Sequence, residues 1–317
     1  MDFWLISDHL LDSISNTRIV PAIHTDHNAV LVELKSSQVH HRGRGLWKLN
    51  SKFVTNKDYV AKLLEKLDEW KRVDFTDPII RWEYLKYKIR DFSIAFSREY
   101  WKEKNEKIQQ LENELERLES EYAINNTDMN LELLENTKLE LEQVNIEKAE
   151  GAIIRARVKW HEYGEKSNKY FLNMEKNKQS KKNIRELNVE GRIITDQKGI
   201  LSEQAKFYEN LYTSKGQCSD EQFQEFTEDL TIPRLENEEK QSCEGLMTIG
   251  ECGKVIKTMK NNKSPGNDGI TIEFHKIFWP HIGNIVVNSF NAAHACQTLS
   301  TSQRQAVITL IDKPGKD

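Results

Sequence analysis

Three stretches carry residue types that could do chemistry. The first is Thr25-Asp26-His27-Asn28. A histidine beside a carboxylate can take a proton, or hold a scissile phosphate, while the carboxylate orients it. A hydrogen-bonded surface histidine fits the same two residues. The second is Gly151–Arg185, where Arg155, Arg157, Lys159, Lys166, Lys169, Lys176, Lys181 and Lys182 interleave with Trp160, Tyr163, Tyr170 and Phe171. Cations neutralise phosphates and aromatic rings stack on bases, so the mixture suits a sequence-tolerant nucleic-acid contact. A solvated helix face with its aromatics in a core has the same composition. The third is Asn261–Phe274, in which Pro265, Gly266, Asn267, Asp268 and Gly269 break any helix. Lys263 and the backbone N–H groups of that turn could face a phosphate; a plain helix–turn–helix connection needs no ligand at all. His40 and His41 have metal-binding side chains, but adjacent loop histidines are usually just solvated.

The elements that must position these residues follow from periodicity. Phe3–Ile6 and Ala29–Leu34 are apolar and β-branched and read as short strands. Gln38–Gly45 is a polar linker, and Leu46–Asn50 a short extended segment. Asp58–Trp70 and Pro78–Trp101 are amphipathic helices, with Trp82, Leu85, Ile89, Phe92 and Phe96 as a core stripe. From Arg98 to Ala149 the apolar residues step by three and four: Ile108, Leu111, Leu115, Leu118 and Tyr122, then Leu134, Thr137, Leu141 and Val144. Asn125-Asn126-Thr127-Asp128 interrupts them as a turn. An antiparallel helical hairpin satisfies this pattern, and a dimeric coiled coil is the alternative. Asn183–Ile194 reads as a β-hairpin, and Asp196 as the N-cap of a helix over Gly199–Tyr212. Gln217–Glu244 reads as a loop or weak helix, broken at Pro233. Thr248-Ile249-Gly250-Glu251 opens a helix ending near Lys260. Ile272–Trp279 and Gly283–Cys296 are helical on either side of Pro280, and Arg304–Pro314 is a strand.

The chain has 317 residues and a net charge of −4, and that average hides a dipolar layout. Gly151–Arg185 holds ten Lys/Arg against three Glu, whereas Gln217–Glu251 holds two basic against ten acidic residues. The four cysteines are far apart and form no C-x-x-C, which argues against a disulfide framework or a zinc site and fits a reducing, intracellular compartment, nuclear or cytoplasmic. No long apolar run indicates a membrane partner.

Asp2-Phe3-Trp4-Leu5-Ile6-Ser7, followed some twenty residues later by Thr25-Asp26-His27-Asn28-Ala29-Val30, resembles the C-terminal end of the endonuclease/exonuclease/phosphatase fold. The resemblance implies Asp2 as the aspartate that orients the histidine, and Asp26 and His27 as the closing pair on the floor of a metal-dependent phosphodiesterase site. Thr25 stands where that family usually has Ser. The family's other metal ligands would lie before Met1, so residues 1–38 are expected to show no nuclease activity. Plasmid nicking that is lost on His27→Ala would overturn that expectation.

Asn261-Asn262-Lys263-Ser264-Pro265-Gly266-Asn267-Asp268-Gly269-Ile270, then Glu273-Phe274, then Val307–Asp317, is similar to the start of the reverse transcriptase domain of LINE-type non-LTR retrotransposons. Gly151–Asn173 is similar to the segment these polyproteins carry between endonuclease and polymerase. Members of that class nick target DNA and copy RNA into DNA. The resemblance implies a fingers-subdomain loop at Asn261–Phe274, and Lys313 near template–primer or nucleotide phosphates, although Asp312 departs from the usual non-acidic residue. Polymerases of this class hold two Mg²⁺ ions on palm aspartates that include an Ala-Asp-Asp turn. No Asp-Asp pair occurs in this sequence. The chain itself is therefore expected to need no cofactor and to incorporate no nucleotide; dNTP incorporation on poly(rA)/oligo(dT) would contradict this.

The fold expected is mainly α with small β elements: a helical hairpin or coiled-coil spacer between an endonuclease-fold β-hairpin remnant and a partial reverse transcriptase fingers subdomain. The segments are residues 1–38, a helical linker at 39–150, a basic aromatic part at 151–216, an acidic linker at 217–247 and the fingers part at 248–317. The function expected is that of a non-LTR retrotransposon polyprotein fragment, inactive itself but binding RNA or DNA through Arg155, Arg157, Lys159, Trp160, Lys166, Lys169, Tyr170, Lys263 and Lys313. The alternative is a non-enzymatic nucleic-acid-binding or helical-hairpin interaction module. The oligomeric state stays open.

Overall fold

The computed structural model describes residues 4–20, 29–35, 45–156, 184–214, 216, 218–231, 233 and 235–308, except the side chains at 20, 29, 149–156 and 242. The chain is mainly helical with two small antiparallel sheets. It divides into two compact units, one of Met1–Ile154 with Met247–Ile308, the other of Arg155–Leu246 with Thr309–Asp317.

In the first unit, β1 (Ile14–Val20) pairs antiparallel with β2 (Ala29–Leu34). The expected partner, Phe3–Ile6, is not a strand over its described residues. Ile14–Val20 offers a longer β-branched run for the ladder, and Trp4 instead donates its indole N–H to the Val30 carbonyl (2.7 Å).

Leu49, Phe53 and Val54 lead into α1 (Lys57–Lys71), which Asn56 caps by accepting the Tyr59 N–H. α2 (Pro78–Ile124) begins with Asp77 as N-cap and Pro78 at the first turn, where a missing N–H costs nothing. It runs unbroken for 47 residues, longer than the Pro78–Trp101 amphipathic stripe. Asn125 ends it, and α3 (Asp128–Ala156) returns antiparallel. Pairs of descending number show the direction: Lys104–Glu147 (2.8 Å), Lys107–Glu140 (3.4 Å) and Glu119–Lys138 (3.6 Å). Ile108, Leu115, Leu118, Leu134 and Leu141 fill the seam, so within this chain the two arms cover each other's apolar faces.

The second unit holds a hairpin of β3 (Leu187–Val189) and β4 (Arg192–Ile194), then α4 (Gln197–Tyr212). Glu190 and Gly191 both have positive φ (51° and 83°), the two-residue turn that matches strand twist. Both strands lie within the Asn183–Ile194 hairpin expected, and this turn fixes their register. Asp196 caps α4 through the Gly199 N–H (2.6 Å), as its position implied. The acidic stretch is more ordered than expected: it contains α5 (Asp220–Thr227) and α6 (Asn237–Cys243), each opened by a capping box.

The first unit then resumes with α7 (Ile249–Thr258) and α8 (Ile272–Ala295). α8 passes straight through Pro280, where two helices were expected. The proline removes one helical hydrogen bond, at about 3 kcal/mol. Phe274, Phe278, Ile282, Ile285 and Val286 are buried on both sides of it, each contributing about 1.5–3 kcal/mol, so packing outweighs the break. These side chains share one core with Tyr59, Leu63, Leu67, Trp82, Leu85, Ile89 and Phe96. One core thus draws on Leu49 to Phe96 and on Ile270 to Val286. Gln305–Ile308 is not a strand, in contrast to the expectation for Arg304–Pro314. Val307 and Ile308 are exposed, and among the described residues no strand lies alongside to take their backbone groups. Among the described residues, no helix is long and apolar enough to cross a membrane.

Candidate nucleic-acid interface

The turn between α7 and α8 is the part of the expected interface that the described residues contain. Thr248 Oγ1 accepts the Glu251 N–H (3.2 Å) and Glu251 Oε2 accepts the Thr248 N–H (2.8 Å), starting α7. Hydrogen bonds from the Thr248 side chain and backbone hold the Glu251 carboxyl below its usual range, so its charge is committed to the helix start. Gly253 is buried and Cys252 and Ile256 half-buried on one side of α7, while Lys254 and Lys257 stand exposed on the other. Lys260 and Lys263 continue the exposed series. Four lysines therefore recur at every third residue with no acidic residue among them. None of the four is in a salt bridge among the described residues.

Two side chains of α8 clamp the chain that carries this row. Lys276 Nζ donates to the Met259 carbonyl (2.6 Å) and to Asn261 Oδ1 (2.7 Å). Glu273 Oε1 accepts the Asn262 N–H (2.5 Å), with Asn262 at a left-handed φ of 58°. Burial alone would raise the Glu273 carboxyl, but backbone N–H groups outweigh it and hold it below the usual range.

The rest of the turn is fixed from below. Gly269 donates to the Gly266 carbonyl (3.1 Å), and Asp268 Oδ1 accepts the Ile270 N–H (3.0 Å). Asn267 donates to Gln305 Oε1 (2.6 Å), and the Gly269 carbonyl accepts the Leu49 N–H (2.9 Å). Gly269 needs to be glycine twice over. Its φ is +74°, and an added Cβ would run into the Trp47 carbonyl and ring. The N–H groups of Asn262, Gly269 and Ile270 are used inside the protein.

A partly buried polar clasp holds the segment after α8. Glu83 Oε1 accepts from Ser300 (2.5 Å) and Ser302 (2.8 Å) and pairs with Lys86 Nζ (2.5 Å), which is itself buried. Burial would raise the Glu83 carboxyl; the bonds from Lys86, Ser300 and Ser302 win and lower it. The neighbouring Trp82 ring meets His275 edge-on at 6.3 Å. Burial depresses the His275 imidazole below its ordinary value, against the Thr271 carbonyl contact (3.0 Å) and Asp268.

Of the residues expected to act, Lys263 is exposed on this turn. Arg155 lies in α3 with its side chain outside the described residues. Asp2, Asp26, His27, Arg157, Lys159, Trp160, Lys166, Lys169, Tyr170 and Lys313 lie outside the described residues. Lys254, Lys257 and Lys260 were absent from that expectation, although their Lys-x-x-Lys period is legible in the sequence. Among the described residues, no group of three or more His, Cys, Asp or Glu is placed to hold a metal ion.

No protein-family profile matches the chain. It is similar to the "Transposon TX1 uncharacterized 149 kDa protein" of Xenopus laevis, at 26% identity over 314 residues. The match takes in 98% of this chain and 24% of that protein, so the chain spans about a quarter of its relative's length. This similarity supports a transposon-derived protein.

Proposed function

We propose that the chain is part of a LINE-type non-LTR retrotransposon polyprotein, in which it joins an endonuclease region to a reverse transcriptase region and binds nucleic acid without strong sequence preference. The lysine row from Lys254 to Lys263 carries the reading. It is exposed, free of acidic residues, and built on a clamped turn whose sequence resembles the fingers loop of that class. The similarity to a transposon protein along nearly the whole chain supports the same origin. Basic residues at 155–185 supply a second contact in this proposal. Endonuclease and polymerase chemistry, with Mg²⁺, belongs in it to the larger polyprotein.

Fluorescence anisotropy with single-stranded RNA and DNA at several salt concentrations tests the binding. Replacing Lys254, Lys257, Lys260 and Lys263 by Ala is expected to lower affinity equally across sequences and to flatten the salt dependence by about one ion per lysine. Unchanged affinity and slope would remove this turn as the interface. A parallel set with Arg155, Arg157, Lys166 and Lys169 replaced by Ala tests the other contact separately.

A further inference from the structure

The turn between α7 and α8 carries one hydroxyl that its fold does not use. Ser264 is exposed, and among the described residues no hydrogen bond holds its side chain. Lys263–Pro265 lies in neither helix, strand nor turn, and its backbone groups make no hydrogen bond among the described residues. Fixed points lie on either side. The Asn262 N–H is held by Glu273 Oε1, and the Gly266 carbonyl accepts the Gly269 N–H (3.1 Å). No backbone hydrogen bond therefore has to break for Lys263–Pro265 to enter the active site of an enzyme. Thr258, the other hydroxyl beside the lysine row, donates to the Val255 carbonyl (2.8 Å).

The residue after Ser264 selects the chemistry. Of the six prolines in the chain, Pro265 alone follows a serine or threonine. A protein kinase that covers the residue after its acceptor with apolar side chains leaves a backbone N–H unpaired there, unless that residue is proline. The charge around Ser264 gives the modification a consequence. Lys254, Lys257, Lys260 and Lys263 carry four positive charges with no acidic residue among them. A phosphate ester brings about −1.5 to −2 at pH 7, roughly half of that in magnitude. It would sit on the residue next to Lys263, at a Cα separation of about 3.8 Å.

We propose that Ser264 is a phosphorylation site for a proline-directed protein kinase, and that its phosphate weakens the hold of the lysine row on nucleic acid. The second half rests on that row being a nucleic-acid contact. In the transfer, Ser264 Oγ attacks the γ-phosphorus of a nucleoside triphosphate. The Oγ–P bond forms, and the bond from that phosphorus to the β–γ bridging oxygen breaks. The nucleoside diphosphate leaves, and the hydroxyl proton passes to a carboxylate of the kinase. The new phosphate then competes with nucleic-acid phosphates for the same ammonium groups. The clamps on Asn261 and Asn262 keep the modified residue beside the row.

The full chain incubated with ATP and, separately, a cyclin-dependent and a mitogen-activated protein kinase tests the site, with the phosphate located by peptide mass spectrometry. Phosphate is expected on Ser264, absent from Ser264→Ala and much reduced in Pro265→Ala. Coincident urea unfolding of the variants and the unaltered chain shows that lost incorporation is not lost folding. No phosphate on Ser264 with either kinase, or incorporation indifferent to Pro265→Ala, would overturn the site. Anisotropy with single-stranded RNA tests the consequence. The phosphorylated chain is expected to bind about tenfold more weakly at about 0.1 M salt, with a salt slope lower by about two. Ser264→Ala taken through the same kinase treatment should bind as the untreated chain does. Equal binding by phosphorylated and unmodified chains, where the four-lysine replacement does weaken binding, would overturn the consequence alone. If the four-lysine replacement itself changes nothing, the row is not the interface and the consequence falls with it, while incorporation still decides the site.

Discussion

Gly269 shows how one residue sets the geometry of the turn. Its φ of +74° and its seat on Trp47 admit no side chain. Gly269→Ala is expected to cost about 2–4 kcal/mol, strain plus overpacking, in a urea unfolding series. It should also weaken nucleic-acid binding by disturbing Lys263. His275 gives a pH signature. Burial against Trp82 holds the ring neutral in the folded chain, with Lys86 opposing and Asp268 favouring its charge. Its folded value is lowered, so the unfolded chain binds the proton more readily. Stability should be fully present above the unfolded value, about 6.5, and fall as pH drops through it towards the lower folded value. His275→Gln should flatten that part of a stability-versus-pH profile measured by thermal melting; an unaltered slope would exclude His275 as its source.

At the scale of elements, the α2–α3 hairpin depends on a narrow seam. Leu115 is fully buried between the arms, while the Lys107–Glu140 pair across them is more than half exposed and contributes at most about 1 kcal/mol. Leu115→Ala should therefore cost about 2–5 kcal/mol in local stability, and Lys107→Ala almost nothing. Amide exchange along α2 and α3 separates the two outcomes. A loss on Lys107→Ala equal to that on Leu115→Ala would show that charge, and not the seam, holds the hairpin. Tyr100 adds a hydrogen bond to Glu147 near its base.

At the scale of the whole molecule, the core of the first unit is assembled from distant sequence. Phe274 stacks on Phe278 (4.6 Å) in the cluster that also holds Tyr59 and Leu63 of α1 and Ile89 of α2. Phe274→Ala should cost about 3–5 kcal/mol. It should also speed amide exchange in α1 and α8 together, since both lose the same support. Exchange that rises in α8 alone would mean that the two helices open independently.

Much of this fold is readable from local pattern. The caps Asp196 and Thr248, the turn at Asn125–Asp128, the stripe from Trp82 to Phe96 and the heptad steps of the hairpin follow from propensity and period, because each is satisfied within a few residues. The breaker at Pro265–Gly269 and its lysine are legible for the same reason. Other features needed the tertiary structure. Pro280 stays within a helix because residues hundreds of positions away bury both of its flanks. Gln305–Ile308 is no strand because a β-branched run needs a neighbouring strand, and none lies alongside it among the described residues. The turn itself is the clearest case. Its residue types gave a loop with a cation, but the use of its own N–H groups, the seat on Trp47 and the clamp by Lys276 and Glu273 arise from long-range packing. That packing fixes the course of the turn and leaves the side chains of Lys254, Lys257, Lys260 and Lys263 exposed.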